Sequence, residues 1–522
     1  MGLLALGDHG NLAGSKGKRI TRKVAWMDLT DEQKEIVARD LRSGEILKIM
    51  AFAGTGKTST LVDYTRSRPH LRFLYLAFNK SVQQEAAEKF PPHVTCRTSH
   101  ALAFRSHGHR HKNRLVAGFK ANTVMAVLQL SLYEDARFAI DTLYNYLISE
   151  APRVNRGHIP SQARAFYQQR QGTMPDFVVL ANRLGRLMCD GSDPRIGMLH
   201  DGYLKLYQLS RPRLPFDCVL LDEAQDINPV TAALVLAQTE PEPGGAPPAS
   251  LIVVGDSHQQ IYSFRGARDA LRHIRATHTR YLTRSFRFGN TIAAVANMVL
   301  RVFKGERRRI VGTVRSEPKP PWDPRRCTLI ARTNAALFDK AAQLHRTHRI
   351  GFVGGARGYR LHLLKDVHFL FTRKARHISD PYIRGFDGYN DLKTYAVAVE
   401  DIELLSICKV VENHPSELPT MVDGIMAKAV DPVQAEVVLT TAHKAKGLEW
   451  QNVLLLDDYP KLVAGGKLIP RSEIDPDEIN LIYVALTRTI ANLRFDKACT
   501  IPDFIRQVRI DRKHGNQIYP SP

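Results

Sequence analysis

The segment from Ala51 to Thr58 constrains the fold of this 522-residue chain more than any other. Its sequence, AFAGTGKT, follows the apolar run ILKIM and precedes STLVDY, which is typical of a helix start. A strand, a glycine-rich turn, Lys-Thr and a helix together form a phosphate-binding loop, in which backbone N–H groups and the helix N-terminus face phosphate oxygens. The segment therefore predicts a nucleotide site on an α/β sheet.

The residues of this loop have distinct predicted roles. The ammonium of Lys57 would reach the β- and γ-phosphates of ATP, and the hydroxyl of Thr58 would bind Mg²⁺. Ala51 departs from the pattern, because the first position of G-x-x-x-x-G-K-[ST] is usually glycine. Backbone contacts with ATP are predicted for Ala53, Gly54, Thr55 and Gly56.

The composition indicates the kind of partner and the compartment. The net charge of +22 and the pI near 9.8 predict a polyanionic partner, most simply nucleic acid, with a merely basic surface as the alternative. The six cysteines form no C-x-x-C pair, which favours reduced thiols inside a cell. No apolar stretch approaches the roughly 20 residues of a membrane span, so no membrane partner is expected. Residues 1–27 are interpreted as a flexible basic leader.

An acidic pair, Asp222 and Glu223, follows a second apolar run, CVLL. A strand that ends in Asp-Glu at the carboxyl edge of a parallel sheet suits an ATPase with a phosphate-binding loop. Asp222 would hold Mg²⁺ through water, and Glu223 would orient and activate the attacking water. The start of an acidic helix is the alternative for this pair taken alone.

Two further segments leave alternatives open. Gln33 lies three residues after Thr30, so its amide either completes a helix capping box or faces the adenine of ATP. Gln259 follows the apolar run LIVV, where its amide can contact the γ-phosphate. Phe264, a few residues later, is either a core aromatic or a ring that stacks on a base.

Apolar strands recur in the second half of the chain as TLIA, VVLTT and VLLL. Their alternation with helical segments predicts a second, mostly parallel α/β unit without a phosphate-binding loop of its own. Residues from about 115 to 205 are typical of helices and predict a helical subdomain inserted in the first unit.

Taken together, these motifs resemble those of the UvrD/Rep-like branch of superfamily 1 helicases, over roughly residues 28 to 490. The segments AFAGTGKTSTLVDY, FLYLAFNKSVQQEA, CRTSHALAF, LLDEAQDINP and VVGDSHQQIYSFRGA are most similar to the helicase core of the F-box DNA helicases, without their upstream F-box. The resemblance implies an α/β fold of two RecA-like parallel-sheet domains, each with a mostly helical insertion. The implied division is 28–104 with 203–280 (first domain), 105–202 (its insertion), 281–362 with 434–522 (second domain) and 363–433 (a reduced second insertion).

The resemblance also implies a role for each matched position. Gln33 would read adenine, Phe286 would stack on it in place of the family's usual tyrosine, and Glu449 would hold the ribose. Contacts with the γ-phosphate are implied for Gln259, Arg287 and Arg488. Both arginines would enter from the second domain, so the site would be complete only when the cleft closes. Contacts with the DNA strand are implied for Phe78, Thr98, His100, Phe264, Thr441 and His443.

By the same resemblance, the protein would be an ATP-dependent helicase or translocase that moves 3′-to-5′ on single-stranded DNA and unwinds duplex DNA in repair or recombination. The alternatives are a translocase that mainly strips proteins from DNA, favoured by the small second insertion, and a nucleic-acid-binding protein with a degenerate ATPase. Its cofactors would be ATP and Mg²⁺. Its partners would be single-stranded and tailed duplex DNA, with recombinase filaments or replication proteins as candidates. A monomer is expected, in the bacterial cytoplasm or nucleoid, or in the nucleus if the chain is eukaryotic.

Overall fold

The computed structural model describes residues 29–242, 244–263, 266, 269–313, 321–398 and 402–514. Within them, strands and helices alternate along two stretches of chain, and a run of helices interrupts each stretch. The predicted basic leader, residues 1–27, lies outside the described residues. Across the described ranges, no helix is both long enough and apolar enough to cross a membrane.

The first α/β unit begins with a capped helix. The side chain of Thr30 accepts a hydrogen bond from the N–H of Gln33 at 3.2 Å, which satisfies a backbone donor at the helix start. Asn79 caps a later helix in the same way, by accepting from the N–H of Val82 at 2.9 Å. The elements are α1 (Asp31–Val37), β1 (Ile46–Ala51), α2 (Lys57–Arg66), β2 (Phe73–Ala77), α3 (Lys80–Lys89), β3 (Val94–Thr98) and α4 (Ser99–Ser106).

A helical insertion follows α4. Its helices pack their apolar faces around a common core that includes Leu143, Phe177 and Leu204. The elements are β4 (Leu115–Val116), α5 (Ala121–Leu128), α6 (Tyr133–Leu147), α7 (Ser161–Gln169), α8 (Phe177–Asp190), β5 (Met198–Leu199) and α9 (His200–Leu209).

The chain then returns to the first sheet. The elements are β6 (Cys218–Leu221), α10 (Pro229–Leu236), β7 (Ser250–Gly255), α11 (Ala270–His273) and β8 (His278–Leu282). The strand order is β3-β2-β6-β7-β1-β8, and each pairing is parallel. Leu220 packs in the core on one face of β6 and Leu221 in the core on the other. Burial on both faces explains why these strands are continuous apolar runs in the sequence.

The second α/β unit is preceded by a short connection from β8. That strand runs to Leu282, two residues past the boundary predicted at residue 280. The elements that follow are β9 (Arg284–Ser285), α12 (Asn290–Lys304), β10 (Val311–Gly312), β11 (Cys327–Ala331), α13 (Asn334–Leu344) and β12 (Ile350–Phe352). The second insertion contributes α14 (Leu361–Phe371), α15 (Pro381–Arg384), α16 (Tyr389–Ala398), α17 (Ile402–Asn413) and α18 (Leu418–Lys428).

The last stretch completes the second sheet. Its elements are β13 (Val437–Thr441), α19 (Ala442–Ala445), β14 (Trp450–Leu455), β15 (Val463–Ala464), β16 (Lys467–Leu468), α20 (Pro476–Leu486), β17 (Thr489–Phe495) and α21 (Ile501–Lys513). The strand order is β12-β13-β11-β14-β17, again with parallel pairing. Helices of the second insertion share a core with this sheet, as the burial of Val367 and Val422 beside Leu439 shows. Two parallel sheets, each with a helical insertion, confirm the predicted fold class.

Candidate nucleotide site between the two units

The phosphate-binding loop joins β1 to α2, and two glycines allow its curled shape. Gly54 and Gly56 have φ of 73° and 78°, in the left-handed region that other residues disfavour. A Cβ at Gly54 would also lie 2.6 Å from the Oγ of Ser285, so no larger residue fits without a shift. Ala51, the departure from the motif, is buried at the end of β1, where a small side chain fits the core.

The loop is held from within and from the second unit. The hydroxyl of Thr55 donates to the carbonyl of Phe52 at 2.8 Å. The hydroxyl of Tyr483, on α20, accepts from the N–H of Ala53 at 3.0 Å. Phe52 and Ala53 also pack with Tyr483 in an apolar cluster between the units. The N–H of Ala53 therefore faces the second unit here, and its contact with ATP stays a prediction.

Lys57 and Thr58 face the two carboxylates at the end of β6. The ammonium of Lys57 lies 3.1 Å from Oε1 of Glu223. The hydroxyl of Thr58 donates to Oδ2 of Asp222 at 3.2 Å, and the hydroxyl of Tyr75 on β2 donates to the same oxygen at 2.7 Å. The fold thus brings together the side chains that the sequence assigned to phosphate, metal and water.

Burial and neighbouring charges set the ionisation of this group. Burial alone would lower the pKa of Lys57, but the carboxylates of Glu223 and Asp222 outweigh it and raise that pKa. Burial and repulsion by Glu223 raise the pKa of Asp222. Burial opposes ionisation of Glu223 as well, but Lys57 and Lys446 outweigh it and lower its pKa to about 2. Lys57 and Glu223 therefore form an ion pair at neutral pH.

Two arginines reach the same cleft from the second unit. Arg488, directly after α20, is 1% exposed, and its guanidinium donates to Oε1 of Gln259 at 3.1 Å. Burial and the nearby charge of Arg287 lower the pKa of Arg488 to about 9. Arg287 donates to Oε2 of Glu449 at 2.6 Å. Glu449, predicted to hold a ribose, therefore pairs with an arginine in this structure.

The amide of Gln33 has partners at both ends. Its Oε1 accepts from the N–H of Thr30 at 3.0 Å, which completes the capping box, and its Nε2 donates to the hydroxyl of Thr60 at 3.0 Å. A Cβ at Gly56 would lie 3.0 Å from this Nε2 and 3.5 Å from the ring of Phe286. Gln33 and Phe286 therefore flank the same side of the loop, and their contact with adenine stays a prediction.

Phe78 and His443, two of the residues predicted to contact DNA, both contact Tyr262, which the sequence analysis did not select. The ring of Phe78, which is 42% exposed, stacks on that of Tyr262 with centroids 5.8 Å apart. The hydroxyl of Tyr262 donates to the carbonyl of His443 at 3.2 Å. Tyr262 lies between Gln259 and Phe264 in the sequence. Its position as an aromatic residue in that segment could have marked it as a candidate for stacking on a base.

Three of the other predicted DNA contacts, Thr98, His100 and Thr441, have partners within the protein. Thr98 and Thr441 cap α4 and α19 by accepting backbone N–H groups. His100 lies 3.1 Å from the carboxylate of Asp201, on α9 of the first insertion. Phe264 lies outside the described residues. The roles of these residues on DNA stay predictions.

Lys446, in the turn between α19 and β14, is a second residue that the sequence analysis did not select. Its ammonium pairs with the buried carboxylate of Asp226 in the first unit and donates to the carbonyl of Gln259. No local pattern distinguishes this lysine from Lys444, two residues earlier. It is recognised only because the tertiary fold brings the two units together.

Some of these groups line a cleft of about 1710 Å³ between the two units. Its walls include Lys57, Glu223 and Phe78 from the first unit and Arg287 and Arg488 from the second. The Lys57 ammonium, the ionised Glu223 carboxylate, the buried Arg488 guanidinium and the partly buried Arg287 guanidinium therefore surround one space. Such a set can bind a polyphosphate and stabilise negative charge that develops on it.

Family domains match the chain on both sides of this cleft. Residues 200–273 match the UvrD/REP helicase N-terminal domain, and this range contains Asp222, Glu223 and Gln259. Residues 418–498 match the UvrD-like helicase C-terminal domain, and this range contains Glu449 and Arg488.

The chain is also similar to curated proteins over most of its length. It is 35% identical over 503 residues to F-box DNA helicase 1 of Gallus gallus, which covers 88% of this chain and 48% of that protein. It is 29% identical over 520 residues to F-box DNA helicase protein 1 of Schizosaccharomyces pombe, covering 90% and 58%. ATP-dependent DNA helicase UvrD2 of Mycobacterium tuberculosis is 24% identical over 367 residues, covering 59% and 51%. The chain thus spans about half the length of the curated relatives it matches.

Proposed function

Since the chain has both the N-terminal and the C-terminal domain of UvrD-like helicases, we propose that it is an ATP-driven motor on single-stranded DNA. One observation carries the proposal: the phosphate-binding loop and acidic pair of one unit face two arginines of the other across a single cleft. Hydrolysis would then require both units, so each ATP cycle would close and reopen the cleft. That cycle is what a motor needs to advance along a strand.

The first step would be an exchange of partners by Lys57. In the structure its ammonium is paired with Glu223. When phosphate oxygens take over Lys57, the carboxylate of Glu223 loses the charge that lowers its pKa and becomes a better base. Glu223 would then accept a proton from the attacking water, so that ATP itself prepares the group that activates its hydrolysis.

Transition-state charge would be stabilised from the second unit. Arg488 and Arg287 already lie in the cleft, and Arg488 contacts Gln259 of the first unit. Their guanidinium groups would bind the γ-phosphate once it replaces Gln259 and Glu449 as their hydrogen-bond acceptor. ATP hydrolysis would therefore be slow whenever the two units separate.

When bound, Mg²⁺ would neutralise part of the negative charge of the phosphates. The residues fit such an ion, because the hydroxyl of Thr58 and the carboxylate of Asp222 present oxygens 3.2 Å apart. Of the described residues, no three His, Cys, Asp or Glu side chains are grouped to hold a metal. The remaining ligands would be water and phosphate oxygens, which suit this ion.

The DNA strand would follow the aromatic pair Phe78 and Tyr262. Ring stacking holds bases without sequence preference, and a chain of net charge +22 favours the phosphate backbone. Tyr262 is three residues from Gln259, the predicted γ-phosphate contact, so nucleotide state and strand grip would be coupled over a short path. The relatives that are named DNA helicases support a DNA substrate. We also propose that the protein moves along the strand in the 3′-to-5′ direction.

The test is an ATPase assay with and without single-stranded DNA, combined with unwinding of duplexes that carry either a 3′ or a 5′ tail. We expect strong stimulation by single-stranded DNA that weakens with salt, and unwinding only from the 3′ tail. An ATPase that ignores nucleic acid, or unwinding from 5′ tails, would contradict the proposal. Absence of ATP turnover under all conditions would favour a nucleic-acid-binding protein with a degenerate ATPase.

A second candidate is a translocase that mainly clears proteins from DNA. The second insertion supports it, since that insertion contains five helices of 4 to 12 residues and lies largely against the second sheet. Removal of recombinase filaments and unwinding of forks, compared on matched DNA, separate the two candidates. Faster clearance with little unwinding would support the second.

A further inference from the structure

Tyr483 is a fully buried residue of α20 whose hydroxyl has partners in the first unit on both sides. The hydroxyl accepts from the N–H of Ala53 at 3.0 Å and donates to Oδ2 of Asp256 at 3.0 Å. Burial and the charge of Asp256 raise its pKa well above the usual 10, so the hydroxyl keeps its proton and remains a donor. One side chain of the second unit thus joins the phosphate-binding loop to the end of β7.

Asp256 in turn orients Gln259. Its Oδ2 accepts from Nε2 of Gln259 at 2.8 Å, while Oε1 of Gln259 accepts from Arg488 at 3.1 Å. Both ends of the Gln259 amide are therefore fixed, with its oxygen towards the second unit. Tyr483, in the last turn of α20, contacts Asp256, and Arg488, two residues beyond the end of that helix, contacts this amide.

Asp256 also connects to Glu223. The N–H of Asp256 donates to Oε1 of Gln225 at 3.0 Å, and Nε2 of Gln225 donates to Glu223. Gly255 makes this connection possible, because a Cβ there would lie 2.3 Å from Oε1 of Gln225. A continuous series of hydrogen bonds therefore runs from Tyr483 through Asp256 and Gln225 to the predicted water-activating carboxylate.

We propose that Tyr483 is a positioning residue that makes ATP hydrolysis depend on docking of the second unit, by holding Asp256 and through it Gln259 and Glu223. This inference rests on the proposed ATPase function. When the units dock, the hydroxyl completes the coordination of Asp256; when they separate, Asp256 loses a donor and Ala53 loses an acceptor. Water can replace the hydroxyl at both groups once the units separate, but it does not fix their orientation, so the catalytic arrangement of Asp256 is held only in the docked state.

The test is Tyr483→Phe, which removes the hydroxyl and keeps the ring in its apolar cluster. We expect kcat of the DNA-stimulated ATPase to fall about tenfold, since one buried hydrogen-bonding group is lost. KM for ATP should change less than about threefold, because Lys57 and the loop glycines remain. Tyr459→Phe is the matched control: Tyr459 is also a buried tyrosine of the second unit, and among the described residues its hydroxyl has no hydrogen-bond partner.

A double-mutant cycle with Asp256→Asn separates positioning from a merely structural role. If Tyr483 acts through Asp256, the double variant loses little more kcat than either single variant. Losses that multiply, or a Tyr483→Phe variant that matches Tyr459→Phe in kcat, would overturn the inference while leaving the ATPase proposal intact. A lower melting temperature with unchanged kcat in Tyr483→Phe would likewise assign the hydroxyl to stability alone. A wild-type protein without ATPase activity would overturn both.

Discussion

The turns after β1 and β11 both lead from the carboxyl end of a parallel strand into a helix, but they satisfy their backbone N–H groups differently. After β1, the chain passes through the left-handed residues Gly54 and Gly56 before α2 begins. After β11, only Arg332 and Thr333 precede α13, and their N–H groups donate to the carboxylate of Asp458 at 2.9 and 2.6 Å. The first turn leaves room for an external anion, whereas the N–H groups of the second turn are already bound by the carboxylate of Asp458.

The second turn is closed by further contacts. Arg332 forms three hydrogen bonds of 2.7 to 2.8 Å with Glu478 on α20, and the side chain of Thr333 caps α13. Since Asp458 already accepts from the N–H groups of Arg332 and Thr333, they are not available to an external phosphate. We therefore expect the turn, and not the parallel sheet, to decide which unit would bind ATP.

The largest effect is expected at the open turn. Lys57→Ala removes the cation that faces the acidic pair and should lower kcat for ATP hydrolysis by about 10³ or more. Single-stranded DNA binding should remain largely intact, because the stacked rings of Phe78 and Tyr262 are unchanged. Steady-state ATPase and fluorescence anisotropy measure the two effects, with Lys34→Ala, a surface lysine, as the control. Substantial residual turnover would show that the open turn does not bind the reacting phosphate.

At the closed turn, a loss of stability is expected instead. Arg332→Ala leaves Glu478, whose side chain is 13% exposed, without its cation, which should cost about 1–3 kcal/mol, between the values typical of exposed and of buried pairs. A lower melting temperature in differential scanning fluorimetry is the measurement. Arg195→Ala breaks an exposed pair with Asp193 and should lower the melting temperature much less. Equal melting temperatures for the two variants would show that the pair of Arg332 and Glu478 does not stabilise the folded protein.

A smaller, pH-dependent effect is expected where the units meet at Asp226 and Lys446. Burial raises the pKa of Asp226 from 3.8 to about 6, although Lys446 opposes the shift. The folded protein therefore binds a proton that the unfolded chain has released, and this contribution to stability declines as pH rises from about 4 to 6. Relative to the wild type, Asp226→Asn should gain a few degrees in melting temperature across that window. A constant difference between the two proteins would disprove the raised pKa.

The local motifs made much of the fold and part of the site predictable. Continuous apolar runs ending in Gly-Lys-Thr or Asp-Glu predicted buried parallel strands with Lys57, Thr58, Asp222 and Glu223 at their carboxyl ends, and the structure places these side chains together. Each of these two pairs directly follows an apolar run or its glycine-rich turn, so local spacing was enough to place it at the end of a strand. Gln33 shows the limit, because its capping box and its predicted base contact use the same amide atoms.

The sequence by itself determined which turn contains glycines in the left-handed region of backbone conformation. It also determined that the phosphate-binding residues and the acidic pair follow the ends of buried strands, because both features depend on local sequence. Only the tertiary structure decided what those groups contact. Tyr483 reaches Ala53, 430 positions away in the chain, and Asp458 fills the turn at Arg332 from 126 positions away. The physical reason is that each buried polar group must find a partner, and the partner is chosen by the packing of distant elements and not by neighbouring residues.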